Sequence, residues 1–117
     1  MLTIYHNPKC SKSRQTLELI KNNNAQSETL TIVEYLKDPL TFDEISTLMT
    51  QLNCKPVEMM RVKEAEFTEQ NLKGAEDKVL INAMVNTPKL MERPIVSNGT
   101  KAVIGRPPEN VLTLFSS

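Results

Sequence analysis

A strand, a helix and a second strand are predicted within the first 35 residues, and this order limits the folds open to the chain. Residues 2–5 form a short apolar run, and residues 29–35 are rich in β-branched types. Between them, residues 11–22 have the apolar spacing of an amphipathic helix. Two strands joined through a helix lie parallel in one sheet, so the chain is predicted to begin with a βαβ unit.

The middle of the chain, residues 38–91, is predicted to be a helical insertion rather than more sheet. Thr41 and Glu44 have the spacing of a capping box, and Ile45 and Leu48 continue with helical periodicity. Further helical segments are expected over residues 56–61, 64–72 and 77–85.

Sheet signals resume at residues 94–97 and 100–104. Asn98-Gly99 between them predicts a type I′ hairpin, because both central positions of that turn need positive φ. Pro108 suits the first turn of a last helix, whose apolar face holds Val111, Leu112 and Leu114. A βαβ half, a helical insertion and a ββα half predict an α/β protein. We expect one thioredoxin-like domain over residues 1–117, with the insertion between the second and third strands.

Cys10 stands where the first strand is predicted to run into the first helix. A thiol at a helix N-terminus meets the positive end of the helix dipole and unpaired backbone N–H groups, and both favour the thiolate. The same position attracts oxyanions, so one segment offers both a nucleophile and an anion-binding site. An inert buried thiol is the alternative, but a polar, proline-containing turn is a poor place for one.

Composition argues against several other functions. Lys plus Arg and Asp plus Glu both number 14, and aromatic residues make up 4% of the chain, which gives no case for nucleic-acid or membrane binding. Two cysteines, Cys10 and Cys54, and a single histidine are too few for a zinc site, so no metal is expected. No signal peptide is visible. We expect a cytoplasmic monomer without a bound cofactor.

Three segments carry a resemblance to a known family: residues 4–14 around Cys10, 92–96 around Arg93-Pro94, and 105–109 around Arg106. In this order they resemble the ArsC arsenate reductases of the glutaredoxin-coupled type, and the similarity extends over nearly the whole chain. The short arsenate-reductase-like subfamily is most similar. Well-studied members of the family have a Gly-Thr pair where this chain has Ser11-Lys12.

The resemblance implies that Cys10 is the nucleophile and that Arg61, Arg93 and Arg106 bind the substrate. It implies reduction of arsenate to arsenite, with glutathione as co-substrate and glutaredoxin as partner. Guanidinium groups suit this role because their planar forks of donors match the oxygens of a tetrahedral anion. A solvated surface charge is the alternative for each arginine. That alternative is strongest for Arg61, because the preceding Met59-Met60 pair has the character of core residues.

Three further residues are expected to support the site. His6 is predicted either to help hold the thiolate or simply to pack. Ser13 is predicted to donate a hydrogen bond to the sulfur or to cap the helix backbone. Pro94 matches the cis-proline that precedes the third strand of the thioredoxin fold, and we expect it to lie against the Cys10 loop.

Two other functions remain open from the sequence. A transcriptional regulator like Spx shares the fold, but many such proteins carry a redox Cys-x-x-Cys switch, and Ser13 occupies the second position here. A glutaredoxin-like general thiol oxidoreductase needs only one cysteine. The three arginines favour an oxyanion substrate over a protein disulfide.

Overall fold

The computed structural model describes residues 2–23 and 29–115, and its centre is a four-stranded mixed sheet. The strands are β1 (Leu2–Tyr5), β2 (Leu30–Val33), β3 (Ile95–Ser97) and β4 (Ala102–Ile104). Their order across the sheet is β2-β1-β3-β4; β1 and β2 are parallel, and the other two pairs are antiparallel. The predicted α/β class, parallel first pair and thioredoxin-like arrangement are therefore confirmed.

Helical segments connect the strands and fill the space between β2 and β3. The α-helices are α1 (Ser11–Asn23), α2 (Phe42–Leu52), α3 (Ala65–Glu69) and α4 (Asp77–Asn86). Short 3-10 helices cover Pro56–Met59, Pro88–Leu90 and Pro108–Phe115. The insertion is helical, as expected. In the described part of the chain, no helix has the length and apolar character needed to cross a membrane.

Two apolar cores cover the two faces of the sheet. On one face, Leu2, Ile4 and Val96 pack with Ile20 of α1 and with Val111 of the last 3-10 helix. On the other face, the helical insertion packs against Ile95 and Ala102 in a larger cluster. The alternation along β1, with Leu2 and Ile4 buried and Thr3 and Tyr5 half-buried, follows from the two-residue period of a strand.

The hairpin between β3 and β4 differs from the predicted type I′ turn. Four residues, numbered 98–101, form the loop, and Ser97 pairs with Ala102. Gly99 has φ of +94°, but Asn98 does not share the left-handed conformation. The reason is that the Asn98 side chain accepts hydrogen bonds from the backbone N–H groups of Thr100 and Lys101, which forms an Asx turn.

Several predicted elements have different extents or types in the structure; strand β4, for example, covers Ala102–Ile104 rather than the predicted 100–104. Strand β2 is shorter than the predicted 29–35, and Tyr35 lies in the turn that follows it. Helix α3 ends at Glu69 rather than at residue 72, because Asn71 (φ +54°) leaves the helical region. The last helix is a 3-10 helix that begins at the predicted Pro108.

Candidate active site

Cys10 lies at the N-terminal end of α1, as the sequence predicts. Its carbonyl accepts the first hydrogen bond of the helix, from the backbone N–H of Arg14 at 3.0 Å. Its own N–H donates to the carbonyl of Asn7 at 3.0 Å, which closes a turn around Pro8. The thiol is free and partly exposed. A partly exposed side chain at this position is accessible to a reactant and close to the unpaired N–H groups of the first helical turn.

The surroundings of Cys10 favour the thiolate. Burial acts to raise the pKa of the thiol, but the backbone N–H groups of Ser13 and Lys12 and the guanidinium of Arg93 act against it. Their combined effect holds the pKa of Cys10 below its ordinary value. Two donors come from the helix terminus and one from a residue distant in the sequence, so both the local motif and the tertiary fold activate this sulfur.

His6, Asn7 and Ser13 form a hydrogen-bonded group beneath the Cys10 loop. The backbone N–H of Asn7 donates to the Ser13 hydroxyl at 3.0 Å, and the hydroxyl lies 2.6 Å from Nδ1 of His6. The Ser13 hydroxyl is therefore occupied by this group, and its backbone N–H is the donor that acts on the sulfur. His6 is buried, and its role in this geometry is to orient Ser13.

Desolvation by burial lowers the pKa of His6, against the attraction of Glu34 and with further lowering by Arg14 and Lys21. A neutral ring accepts the Ser13 O–H at Nδ1 while the hydroxyl oxygen accepts the Asn7 N–H. This assignment gives both contacts of the Ser13 hydroxyl a donor and an acceptor. It places the ring proton of His6 on Nε2.

The loop before Cys10 is held by two further hydrogen bonds. The Asn7 side chain accepts from the backbone N–H of Lys9 at 3.0 Å, and Arg14 donates from Nη1 to the carbonyl of Pro8 at 2.9 Å. The side chain of Arg14 thus ties α1 to the preceding loop. The structure assigns Arg14 to support of the loop rather than to a direct contact with the thiol.

Arg93 and Tyr35 lie next to Cys10. The Arg93 guanidinium acts on the sulfur both as a hydrogen-bond donor and as a charge. Tyr35 is 1% exposed, and burial raises its pKa to about 12 against the opposing effect of Arg93. The Tyr35 hydroxyl is within electrostatic reach of Arg93, but it has no hydrogen-bond partner of good geometry among the described residues.

Tyr35 is a site residue that sequence reasoning missed. It follows β2, and the carboxyl ends of parallel strands meet at one edge of a sheet, where Cys10 also lies. That topological rule was the available signal. It would have placed the residues after both strands, Tyr35 among them, beside the thiol.

Arg61 reaches this edge of the sheet because a short bridge ties the insertion to the segment before β3. Met60 and Met91 form an isolated antiparallel bridge. The backbone N–H of Arg61 donates to Leu90 at 2.7 Å, and that of Glu92 donates to Met59 at 2.8 Å. Across this bridge Arg61 lies opposite Leu90 and Glu92 lies opposite Met59, so Arg61 and Glu92 are diagonal neighbours on one face. Arg61 Nε lies 3.7 Å from Glu92 Oε1.

Arg106 comes from the segment after β4 and meets the same carboxylate. Its Nη1 lies 3.6 Å from Glu92 Oε1, and its carbonyl accepts from Asn110 Nδ2 at 3.2 Å. The structure thus brings Arg61 and Arg106 together at Glu92, and it brings Arg93 to Cys10. Convergence of all three arginines on one oxyanion at the sulfur stays a prediction.

Pro94 follows the cis Arg93-Pro94 bond predicted from the sequence. Its carbonyl accepts from the N–H of Gly105 at 2.8 Å. A Cβ at Gly105 would lie 2.9 Å from Pro94 Cγ and 2.7 Å from the hydroxyl of Thr16. Glycine at position 105 therefore allows β4 and Pro94 to approach α1 closely, which brings the third strand to the helix that carries Cys10.

Cys54 contrasts with Cys10. Burial and the nearby Glu58 raise the pKa of the Cys54 thiol, so this cysteine has the neutral form expected of a structural residue. Among the residues that the structure describes, no cluster of three or more His, Cys, Asp or Glu side chains suits a metal ion.

Comparison with known proteins places this site in a family. A model of the ArsC family matches residues 5–114. An uncharacterised protein of Escherichia coli (strain K12), YfgD, is 45% identical over 113 residues, which are 95% of this chain and 93% of that protein. An arsenate reductase of Haemophilus influenzae is 42% identical over 116 residues, which are 96% of this chain and 97% of that protein.

The fold of a solved relative agrees with these sequence matches. The arsenate reductase from Vibrio cholerae superposes with a TM-score of 0.87 at 46% identity, and the match covers 96% of this chain and 95% of that one. Since the family model and the relatives both span nearly the whole sequence, the chain belongs to the ArsC family.

Proposed function

We propose that this protein reduces arsenate to arsenite, with the Cys10 thiolate as the nucleophile. The observation that carries the proposal is the set of donors around the sulfur: two backbone N–H groups of α1 and the Arg93 guanidinium, which lower the pKa of Cys10. Relatives named arsenate reductase, at about 40% identity over nearly full length, support this substrate class.

The first step follows from the polarity of the site. The thiolate attacks arsenic, an arsenic–sulfur bond forms, and one oxygen leaves as water or hydroxide. Positive charge from Arg93 offsets the repulsion between the thiolate and the anionic substrate. Arg61 and Arg106 are the other guanidiniums at this edge of the sheet, and we assign them to the remaining oxygens.

Reduction of arsenic(V) to arsenic(III) takes two electrons, which the oxidation of two thiols to a disulfide supplies. Cys10 provides one thiol. Ser13 stands where a second local cysteine would be needed, and the pKa of Cys54 is raised by burial, so we assign the other thiol to a molecule outside the chain. We propose glutathione for that role and glutaredoxin for reduction of the resulting disulfide, as the resemblance implies.

Arsenite production by the pure protein tests this proposal. Arsenate, glutathione and glutaredoxin are supplied, and arsenite is measured over time. We expect Cys10→Ser to abolish the product and Cys54→Ser to retain it, because Cys54 has a raised pKa and no part in the mechanism. Equal arsenite formation by the Cys10→Ser variant and the wild type would show that the reaction does not use this sulfur.

A general thiol oxidoreductase is the second candidate, and one observation favours it. Arg93 acts on Cys10 in this structure, whereas Arg61 and Arg106 contact Glu92. A protein disulfide would need the activated thiol and would have no use for the other two arginines.

Lysine variants of Arg61 and Arg106 separate the two candidates. Lysine keeps the charge and loses the fork, so arsenate-dependent kcat/KM should fall by roughly tenfold to a hundredfold, as expected for lost charged hydrogen bonds. Reduction of a glutathione mixed disulfide should be unchanged. Lys78→Gln, which removes an exposed charge on α4, is the control. Unchanged arsenate turnover in both lysine variants would favour a general thiol oxidoreductase as the function of this protein.

A further inference from the structure

Glu92 lies between two of the arginines proposed to bind the substrate. One oxygen of its carboxylate, Oε1, is 3.7 Å from Arg61 Nε and 3.6 Å from Arg106 Nη1. A single carboxylate oxygen thus sits where two positive side chains from different parts of the chain meet. That is the kind of position that an oxygen of a bound oxyanion would occupy.

The contacts of Glu92 are ionic and long. Both distances exceed that of a hydrogen bond between an ionised donor and acceptor, which is about 2.7–2.9 Å. Its side chain is one-quarter exposed. Burial raises the pKa of Glu92, and the nearby Arg106 only partly opposes that effect. The ionised carboxylate is therefore poorly solvated, and neighbouring positive charge offsets only part of the cost of burying it. A carboxylate in this situation is easy to displace or to protonate.

Two cavities adjoin this carboxylate. A cavity of about 320 Å³ is lined by Arg61, Glu64, Glu92 and Arg106 among others. A second cavity, of about 440 Å³, also has Glu92 and Arg106 in its wall, together with Glu58 and Cys54. Arg106 lines both cavities and Arg61 lines the smaller one, so there is room for a small anion beside each guanidinium.

We propose that Glu92 is an internal substitute for the substrate anion, which holds Arg61 and Arg106 until an oxyanion takes its place between them. This inference rests on the proposed function and names a specificity-determining residue for it. While Glu92 is ionised, its charge cancels part of the positive charge of the two arginines and repels an incoming dianion. Oxyanion binding is therefore coupled to protonation of Glu92. The site consequently binds an anion that can donate a proton to Glu92 more tightly than a dianion that carries no proton.

Other titratable groups around Glu92 must be separated from it. Glu58 and Cys54 face it from one cavity, and Lys63 and Glu64 line the other. Glu64 shares Arg61 with Glu92, because its Oε1 lies 3.2 Å from Arg61 Nη1, and its other oxygen lies 3.6 Å from Lys89. Glu64 has no ion pair with Arg106 among the described residues and is common to all the variants below, so its contribution cancels in their comparison. Tyr35, also within electrostatic reach of Glu92, stays protonated near neutral pH because its pKa is about 12.

Sulfate binding by calorimetry tests the proposal. Sulfate is a dianion throughout the experiment and cannot be reduced here, so its pH dependence reports on the protein alone. All variants carry Cys10→Ser, which removes the charge and titration of the thiolate. In this parent, we expect sulfate affinity to fall as the pH rises above 4.5, the ordinary value from which the pKa of Glu92 is raised.

Glu92→Gln keeps the shape of the side chain and removes its charge. We expect this variant to bind sulfate about tenfold more tightly than the parent near neutral pH, which corresponds to about 1.4 kcal/mol. Its affinity should vary much less with pH. Glu92→Asp keeps the charge and should retain the pH dependence. Glu58→Gln removes a carboxylate from the same cavity without an ion pair to either arginine, and should behave like the parent.

Each outcome decides a separate point. Equal affinity and equal pH dependence in the Glu92→Gln variant and the parent would overturn the role of Glu92 and leave the oxyanion site standing. Weaker binding in Glu92→Gln would make the carboxylate a structural support for the arginines instead of a competitor, and would also overturn the proposal. Failure of every variant to bind sulfate, with no arsenite formed by the wild type, would reject the oxyanion site itself.

Discussion

At the scale of single residues, the reactivity of Cys10 depends on a balance between burial and three donors. Burial disfavours the thiolate, whereas the N–H groups of Ser13 and Lys12 and the Arg93 side chain stabilise it. The two backbone donors follow from the position of Cys10 at the start of α1, which is visible in the sequence. The Arg93 contact depends on the tertiary fold, because Arg93 precedes β3 and reaches Cys10 only when β3 pairs with β1.

Replacement of Arg93 should make the thiol less reactive. Because Arg93 lowers the pKa of Cys10 as donor and as charge, Arg93→Gln should raise that pKa and slow alkylation several-fold near neutral pH. The rate of iodoacetamide alkylation is measured against pH, with Cys54→Ser in every protein. Lys12→Gln is the matched control, since it removes a nearby charge and keeps the backbone donor. A midpoint in Arg93→Gln no higher than in the control would exclude Arg93 as an activator.

At the scale of secondary structure, the capping box of α2 shows how much a local pattern determines. The Thr41 side chain accepts from the N–H of Glu44 at 3.2 Å, and Glu44 Oε1 accepts from the N–H of Thr41 at 2.9 Å. This reciprocal pair is the one that the sequence predicts. At the other end, Asn53 adopts φ of +55° and closes the helix with bonds from its N–H to Met49 and Thr50.

Loss of this cap should destabilise the protein measurably. Thr41→Ala removes the acceptor for the Glu44 N–H, and the free energy of unfolding should fall by about 1 kcal/mol. Urea denaturation followed by circular dichroism gives the value. Thr47→Ala is a matched control, because Thr47 is exposed within the same helix, where alanine is favoured over threonine. A loss in Thr47→Ala as large as in Thr41→Ala would contradict the role of the cap.

Local patterns predicted elements better than they predicted contacts between them. The position of β1, the start of α1 and the capping box depend on neighbouring residues, and the sequence placed them correctly. The type I′ turn was wrong because the Asn98 side chain binds backbone N–H groups instead of leaving its residue in the left-handed region. The contact of Glu92 with Arg61 depends on the Met60–Met91 bridge, and no local sequence pattern predicts this bridge.

At the scale of the whole molecule, the proposed site draws its residues from all three parts of the chain. The βαβ half supplies Cys10 and Tyr35, the helical insertion supplies Arg61, and the ββα half supplies Arg93 and Arg106. The insertion packs against the sheet through a shared apolar core, and the Met60–Met91 bridge holds Arg61 beside the segment that leads into β3. The bridge thus brings Arg61 to Glu92, where Arg106 also lies.

The stability of the whole fold should depend on pH through His6, which is buried and hydrogen-bonded to Ser13. Burial lowers the folded-state pKa of His6 below the unfolded value of about 6.5. Between the folded-state and unfolded-state pKa values of His6, the unfolded chain binds more protons than the folded one. The free energy of unfolding therefore falls as the pH drops below 6.5. Glu92 acts in the opposite direction, because its raised pKa makes its ionisation above 4.5 unfavourable to the fold.

Comparison of the wild type with His6→Asn isolates the histidine contribution, since Glu92 is common to both proteins. Asparagine keeps a polar atom near Ser13 and does not titrate. Urea unfolding is measured from about pH 5 to about pH 7.5, the range in which histidine titrates. Near neutral pH the variant should have a lower free energy of unfolding than the wild type, because asparagine leaves part of the ring volume empty. As the pH falls, protonation destabilises only the wild type, so the difference in unfolding free energy between the two proteins should shrink. A deficit that stays constant across this range would mean that His6 titrates alike in the folded and unfolded chains.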